Sequence, residues 1–291
     1  MKRVISIIST ILVLSTLVGA QNNAARSPEA GNAFNKGLDL AKKGDFKQAV
    51  PLFKEAITAD AKFEDAFYML GVCYKRLNEY DEATGAFKKA IEINKKFEQA
   101  YIALGNLQMD MELFDQAINS FNAVVAFNDQ SSKAHYGVGM VHYKMKNYIH
   151  AIASLKKAVE LDPSYDSAWN TLGLCQEREN QLTEAIDSFN HAINATKKNS
   201  SKGSYYYRLG EVQLKLKKYT EAESSYNDAL KLSRSQTIIA GSNFGLGQVY
   251  KQLGQKQKAI DHFKIAARNR SWKASADYEI DLILNPEKYS Y

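Results

Sequence analysis

The chain has 291 residues, 45% hydrophobic and 24% charged, a composition that supports a folded core and excludes an intrinsically disordered protein. Two cysteines exclude a disulfide framework, and four prolines leave room for many uninterrupted helices. The formal net charge of +6 is uneven: sixteen Lys+Arg stand against five Asp+Glu from Thr196 to Lys273, and nineteen against twenty-three from Gln21 to Ala195.

Lys2 and Arg3 precede an apolar stretch from Val4 to Val18, and Val18-Gly19-Ala20 offers small residues before a cut. Residues 1–20 therefore read as a signal peptide, with Gln21 as the new N-terminus. The stretch falls short of the ~20 apolar residues that span a bilayer comfortably. Gln21 also stands where a bacterial lipoprotein needs cysteine. The expectation is an exported protein, periplasmic or secreted and soluble after cleavage, without stable membrane insertion. Residues 21–29 are polar and small and read as a flexible lead-in.

From residue 30 the chain repeats itself. A glycine recurs at Gly37, Gly71, Gly105, Gly139, Gly173, Gly210 and Gly247, at spacings of 34, 34, 34, 34, 37 and 37. Twelve residues after each comes Ala49, Ala83, Ala117, Ala151, Ala185, Ala222 or Ala259. Four further on stands a large apolar residue: Phe53, Phe87, Phe121, Leu155, Phe189, Tyr226 or Phe263. Then follow Ala56, Ala90, Val124, Ala158, Ala192, Ala229 and Ala266. Four columns over seven copies define a repeat of two antiparallel helices, here called first and second. Small residues sit where the two helices approach closest, and the aromatic column fills the space between neighbouring pairs. Turns are expected at Lys43-Gly44-Asp45, Leu77-Asn78-Glu79, Lys146-Asn147 and Leu253-Gly254-Gln255, where Gly or Asn tolerates the left-handed conformation that ends a helix.

Trp169-Asn-Thr-Leu172-Gly173 with Ala185-x-x-x-Phe189, and Phe67-Tyr-Met-Leu70-Gly71 with Ala83-x-x-x-Phe87, resemble the tetratricopeptide signature. Leu161-Asp162-Pro163 matches the closing proline of that family. The resemblance covers nearly all of the chain after the leader. It implies an all-α, right-handed superhelical solenoid of about seven helix pairs. The repeats are expected at 30–63, 64–97, 98–131, 132–165, 166–199, 203–236 and 240–271. A capping helix at 272–285 follows, in which Trp272, Ala276, Ile280 and Ile283 recur at helical spacing, and then a tail at 286–291. Lys197 to Gly203 and Ser233 to Ala240 hold three extra residues each, which lengthen either a helix or a turn.

No phosphate loop, H-E-x-x-H or C-x-x-C is present, and no enzyme is expected. No cofactor or metal is implied. His135 and His142 stand where other copies hold Phe67 and Tyr74, so both read as packing substitutes. Cys73 and Cys175, each two residues after a repeat glycine, read as free buried thiols.

In the family the first helix of each pair lines the inner, concave surface. The resemblance therefore implies a partner-binding groove at Phe34, Tyr68, Arg76, Ile102, Tyr136, Tyr143, Lys144, Asn170, Arg178, Tyr207, Lys215 and Phe244. Aromatic residues beside a basic ridge suit a protein or peptide partner with apolar anchors and acidic residues. The lysine and asparagine pair by which some relatives clamp a C-terminal carboxylate occurs in no copy. Nothing points to nucleic acid. The leading expectation is a non-catalytic scaffold or adaptor of the bacterial envelope. The alternative is a module that binds an anionic lipid surface or cell-wall polymer through the basic C-terminal repeats.

Overall fold

The computed structural model of the protein describes residues 27–289. The leader and the expected cut after Ala20 lie outside the described residues. Those described are predominantly helical, with no strand among them. No described helix is long and apolar enough to cross a membrane. The chain divides after Asp129 into two compact units.

The first unit holds three helix pairs: α1 (Pro28–Lys43) with α2 (Phe46–Ala59), α3 (Glu64–Arg76) with α4 (Tyr80–Ile93), and α5 (Glu98–Asp110) with α6 (Phe114–Phe127). The second unit holds four: α7 (Ser132–Lys144) with α8 (Tyr148–Leu161), α9 (Asp166–Arg178) with α10 (Leu182–Ala195), α11 (Asn199–Lys215) with α12 (Tyr219–Leu232), and α13 (Gln236–Gln252) with α14 (Lys256–Ala266). A last helix, α15 (Arg270–Leu284), and a 3-10 turn at Pro286–Tyr289 complete it. Within each unit every helix packs on the next in the chain. This arrangement suits short loops, and no pair can bury its apolar faces without its neighbours.

The ends of the helices follow from local chemistry. Ser27 Oγ accepts the Ala30 N–H at 3.1 Å and Pro28 occupies the first turn, so α1 starts with its free donors partly satisfied. It ends at Gly44, φ 88°, where Asp45 N–H reaches back to the Leu40 carbonyl. The same reach recurs in all seven pairs, from Glu79 to Tyr74, Leu113 to Gln108, Asn147 to His142, Gln181 to Gln176, Lys218 to Gln213 and Gln255 to Tyr250. Each needs a left-handed residue seven places after the repeat glycine. That residue is Gly44, Asn78, Glu112, Lys146, Asn180, Lys217 or Gly254. In the fourth turn the left-handed residue is thus Lys146 and not Asn147.

Between pairs the chain turns on a side-chain oxygen. Asp60, Asn94 and Asp162 accept the backbone N–H two residues on, from Lys62, Lys96 and Ser164 at 2.9–3.1 Å. After α10 and α12, Thr196 and Ser233 do the same for Lys198 and Ser235. The extra residues that follow lengthen a helix: α11 and α13 have 17 residues where α3, α5, α7 and α9 have 13.

Six of the seven repeat glycines are small because a ring lies on them, and Leu155 takes that place over Gly139. A Cβ on Gly71 would stand 2.6 Å from Phe87, one on Gly173 2.9 Å from Phe189, and one on Gly210 2.8 Å from Tyr226. The aromatic column therefore packs first on the glycine of its own pair. It also reaches the next pair: Tyr226 lies against Gly245 of α13, and Phe87 clusters with Leu104 and Leu107 of α5. Phe53, Phe87, Phe121 and Phe189 are wholly buried, each contributing roughly 1.5–3 kcal/mol. The alanine column is likewise fully buried. In α15, Ala276 is buried, and Trp272, Ile280 and Ile283 pack onto the core of the last two pairs.

Three pairs also carry a buried polar bond. Ser120 donates to Gln108 at 2.6 Å, Ser188 to Gln176 at 2.6 Å and Ser225 to Gln213 at 2.7 Å. Each joins the position three after the glycine to the position twelve beyond that, across one helix pair.

Candidate interaction face

The first helices carry every residue proposed for the groove. Phe34 and Tyr207 are buried, at 8% and 7% exposed. Phe34 packs on Phe53 and Phe63, with ring centroids 5.6 and 4.6 Å apart. Tyr68 rests on Phe87 and Phe97 at 5.9 and 5.5 Å, and Tyr136 on Tyr165 at 4.8 Å. Phe244 packs on Phe263 at 5.3 Å and Trp272 at 4.8 Å. Phe63, Phe97 and Tyr165 each immediately precede the next first helix. The aromatics three before the glycine thus wedge the seam between consecutive pairs. Ile102 and Asn170 are half-buried. Burial pushes the phenols of Tyr68, Tyr136 and Tyr207 up, so they remain neutral. The Tyr207 hydroxyl donates to Glu211 at 2.8 Å.

The positions five after the glycine face solvent. Arg76, Lys144, Arg178 and Lys215 are all exposed, and Arg76 also lies 5.9 Å from the centroid of the Phe46 ring. Beside them, one ion pair in each unit links the residue four after one glycine to the residue five after the next. Lys75 pairs with Asp110 at 2.7 Å in the first unit, and Glu177 pairs with Lys215 in the second. Lys251 of the last pair reaches Glu279 of α15 at 2.6 Å. These pairs are partly solvated and contribute little to stability, within about 1 kcal/mol each. Their greater consequence is that Lys215 is neutralised by a neighbour within the fold. At the same two offsets Arg178 has Tyr143 and no carboxylate. Among the described residues Lys144 and Arg178 have no ion pair, and Tyr143 is half-buried beside Tyr148 at 6.1 Å. The charge complementarity of Lys75 with Asp110 and of Glu177 with Lys215 was present in the sequence as opposite signs at these two offsets. It emerges only when one copy's fourth position is compared with the next copy's fifth.

Cys73 and Cys175 are buried and free, and burial pushes both thiols up to about 12. They are inert thiolate sources at neutral pH. His142 is half-buried against the exposed His150, with ring centroids 5.4 Å apart. His262 stacks on Tyr250 and bonds Asn243.

Comparison with known proteins agrees with the pairwise architecture. Family models described as tetratricopeptide repeat match residues 64–97 and 132–165, 164–235, and 98–130 and 240–267. No curated protein sequence matches the chain. Among solved structures it is similar to MamA, at 25% identity over 55% of this chain and 93% of that one, with a TM-score of 0.50. A tetratricopeptide repeat protein from Parabacteroides merdae is similar at 18% identity over 89% of this chain and 100% of that one, with a TM-score of 0.60. YrrB, a TPR protein with an unusual peptide-binding site, is similar at 20% identity over 64% and 94%, with a TM-score of 0.51.

Proposed function

The chain belongs to the tetratricopeptide repeat family, and from that premise we propose that it is a non-catalytic scaffold of the bacterial envelope that holds a partner peptide or domain against its first-helix face. The observation that carries this reading is the surface of the second unit at Tyr143, Lys144 and Arg178. There the exposed cations Lys144 and Arg178, which have no ion pair among the described residues, stand on the neighbouring first helices α7 and α9, with the half-buried Tyr143 beside Lys144 in the chain. Aromatic and arginine side chains are frequent energetic centres of interfaces. Within the second unit the half-buried Tyr136 and Phe244 give the face its apolar floor, and Tyr207 supports it from beneath. Export rests on the leader alone.

A photo-crosslinking residue at position 143, in cells, followed by mass spectrometry, tests this directly. A defined partner captured from position 143, and not from Lys157 on α8, supports the face. Capture from position 157 alone sinks it. Once the partner is in hand, charge reversal at Lys144 and Arg178 weakens it by about 2 kcal/mol or more if the pair is a hot spot.

A second reading has its own support. Lys217, Lys218, Lys256, Lys258 and Lys264 are all exposed in the last two pairs. They suit an anionic lipid surface or cell-wall polymer, whose binding would collapse between low and physiological salt while apolar anchoring would not.

A further inference from the structure

Within a pair, the residue three after the glycine meets the residue eleven after it, across the turn between the two helices. In the third pair Gln108 donates to Gln116 at 3.4 Å, and in the seventh Lys258 lies over the Tyr250 ring, 5.1 Å from its centroid. In the fourth pair both positions are histidine. The hairpin of α7 and α8 thereby brings His142 and His150 together, with ring centroids 5.4 Å apart and planes inclined at 35°.

Three observations suit a ligand better than packing. First, His150 is exposed, and its Nδ1 lies 2.8 Å from Asn147 Oδ1. A carboxamide oxygen only accepts, so Nδ1 carries the proton and Nε2 keeps its lone pair. Metal-binding imidazoles are commonly held in this way, by a hydrogen bond from the other ring nitrogen. Second, His142 Nδ1 is buried and has no hydrogen-bond partner in the fold. Buried nitrogens are rarely left so, and a bound ion is one accepted reason. Third, the spacing fits. Two imidazoles bound to one cation through bonds of about 2.0–2.1 Å, at right to tetrahedral angles, place their centroids roughly 4.5–5.2 Å apart. A small side-chain rotation closes the difference.

We propose that His142 and His150 form a divalent transition-metal site on the α7–α8 hairpin, of the Cu2+ and Zn2+ class. Among the described residues no group of three or more His, Cys, Asp and Glu forms a metal site. The site is therefore open, with two protein nitrogens and the remaining positions available to water or to a donor from a bound partner. Imidazole suits both cations, and Cu2+ binds more tightly by the usual order of divalent metals.

Calorimetric titration of the untagged, chelator-treated full chain with CuCl2, and separately with ZnCl2, tests the site. The expected result is one Cu2+ per chain in the micromolar range, with spectroscopic coupling to two imidazole nitrogens. His142→Gln and His150→Gln each weaken Cu2+ binding by at least about tenfold, and Asn147→Ala weakens it by about the same factor or less. Because His150 is exposed, His150→Gln leaves the melting temperature of the metal-free chain unchanged. It abolishes the rise in melting temperature that Cu2+ produces in the parent. The proposal is overturned if the parent binds no cation at ~100 μM, or if the double variant binds as the parent does.

Discussion

The Phe87 ring occupies the space that a methyl group on Gly71 would need: a Cβ built there meets the ring 2.6 Å away. Phe87 is wholly buried, so the ring cannot swing aside into water. Glycine inside a helix ordinarily costs about 1 kcal/mol relative to alanine. Here the overpacking outweighs that gain. Gly71→Ala is expected to destabilise the chain by about 1–3 kcal/mol. Gly85, exposed on α4 with nothing within 4 Å of its would-be Cβ, is the control. Gly85→Ala should stabilise by about 0.5–1 kcal/mol. Denaturant melts showing the same sign for both variants would refute the packing role of the glycine column.

The left-handed turn position gives a second pair of opposite effects. Glu112 and Lys217 hold φ of 59° each, and Gly44 holds 88°. A non-glycine residue there costs about 1–2 kcal/mol. Replacing it by glycine returns that cost, less the about 0.4–1 kcal/mol by which a freer unfolded chain opposes folding. Glu112→Gly and Lys217→Gly are each expected to raise stability by up to about 1 kcal/mol. Gly44→Ala should lower it by about 1 kcal/mol or more. Thermal melts decide it, and a lower melting point for Glu112→Gly would count against the backbone account.

Which parts of this could be read in the sequence follows from what sets each feature. The glycine, alanine and aromatic columns were legible because one steric demand repeats at a fixed period, and Gly71, Ala83 and Phe87 are that demand in three residues. The turn at Glu112 was hidden because the closing hydrogen bond from Leu113 to Gln108 imposes φ on whatever residue stands there. Glycine or asparagine is a preference at that place, not a requirement. The three-residue insertions left helix and turn open. The structure resolves them as helix, since Thr196 and Ser233 reproduce the Asx-type turn and α11 and α13 gain a helical turn. For the residues proposed to line a groove, the sequence placed them on the first helices but did not show their exposure. Tyr207 and Phe34 stand three before the glycine like Tyr136, yet both are nearly buried, because exposure there depends on how much ring the next pair places against it.

The buried serine–glutamine bonds carry a further prediction. Ser188 donates to Gln176 at 2.6 Å where both are almost fully buried. Ser188→Ala leaves a buried carboxamide oxygen without its donor, at a cost of about 1–3 kcal/mol. The fourth pair has Ser154 at the serine position and His142 at the glutamine position, and the His142 Nδ1 is unsatisfied. Installing the missing amide by His142→Gln is expected to stabilise the metal-free chain by about 1 kcal/mol. Chemical denaturation of both variants is the check. A stabilised Ser188→Ala protein would mean that the bond is incidental.

Acid stability supplies the last prediction. Burial holds the His262 imidazole below its ordinary basicity, outweighing the nearby carboxylates of Asp261 and Glu223, while Lys258 acts in the same direction as burial. Its Nδ1 is bonded to Asn243 Oδ1 at 2.9 Å, so the proton gained on acidification goes to Nε2 beside the Tyr250 ring. In the unfolded chain this histidine titrates near 6.5. Between that value and its lower folded value the unfolded state binds more protons, so stability rises with pH. His262 therefore contributes stability that is present above about pH 6.5 and is lost as pH falls through the folded value. The depressed Asp281 carboxyl acts in the same sense but only below the ordinary carboxylate range, so the two windows separate. His262→Gln should remove this contribution. The difference in unfolding free energy between parent and variant is expected to grow as pH rises from about 5 to 7.5 and then level off. A difference that stays flat across that range, or shrinks, would show that His262 titrates alike in both states.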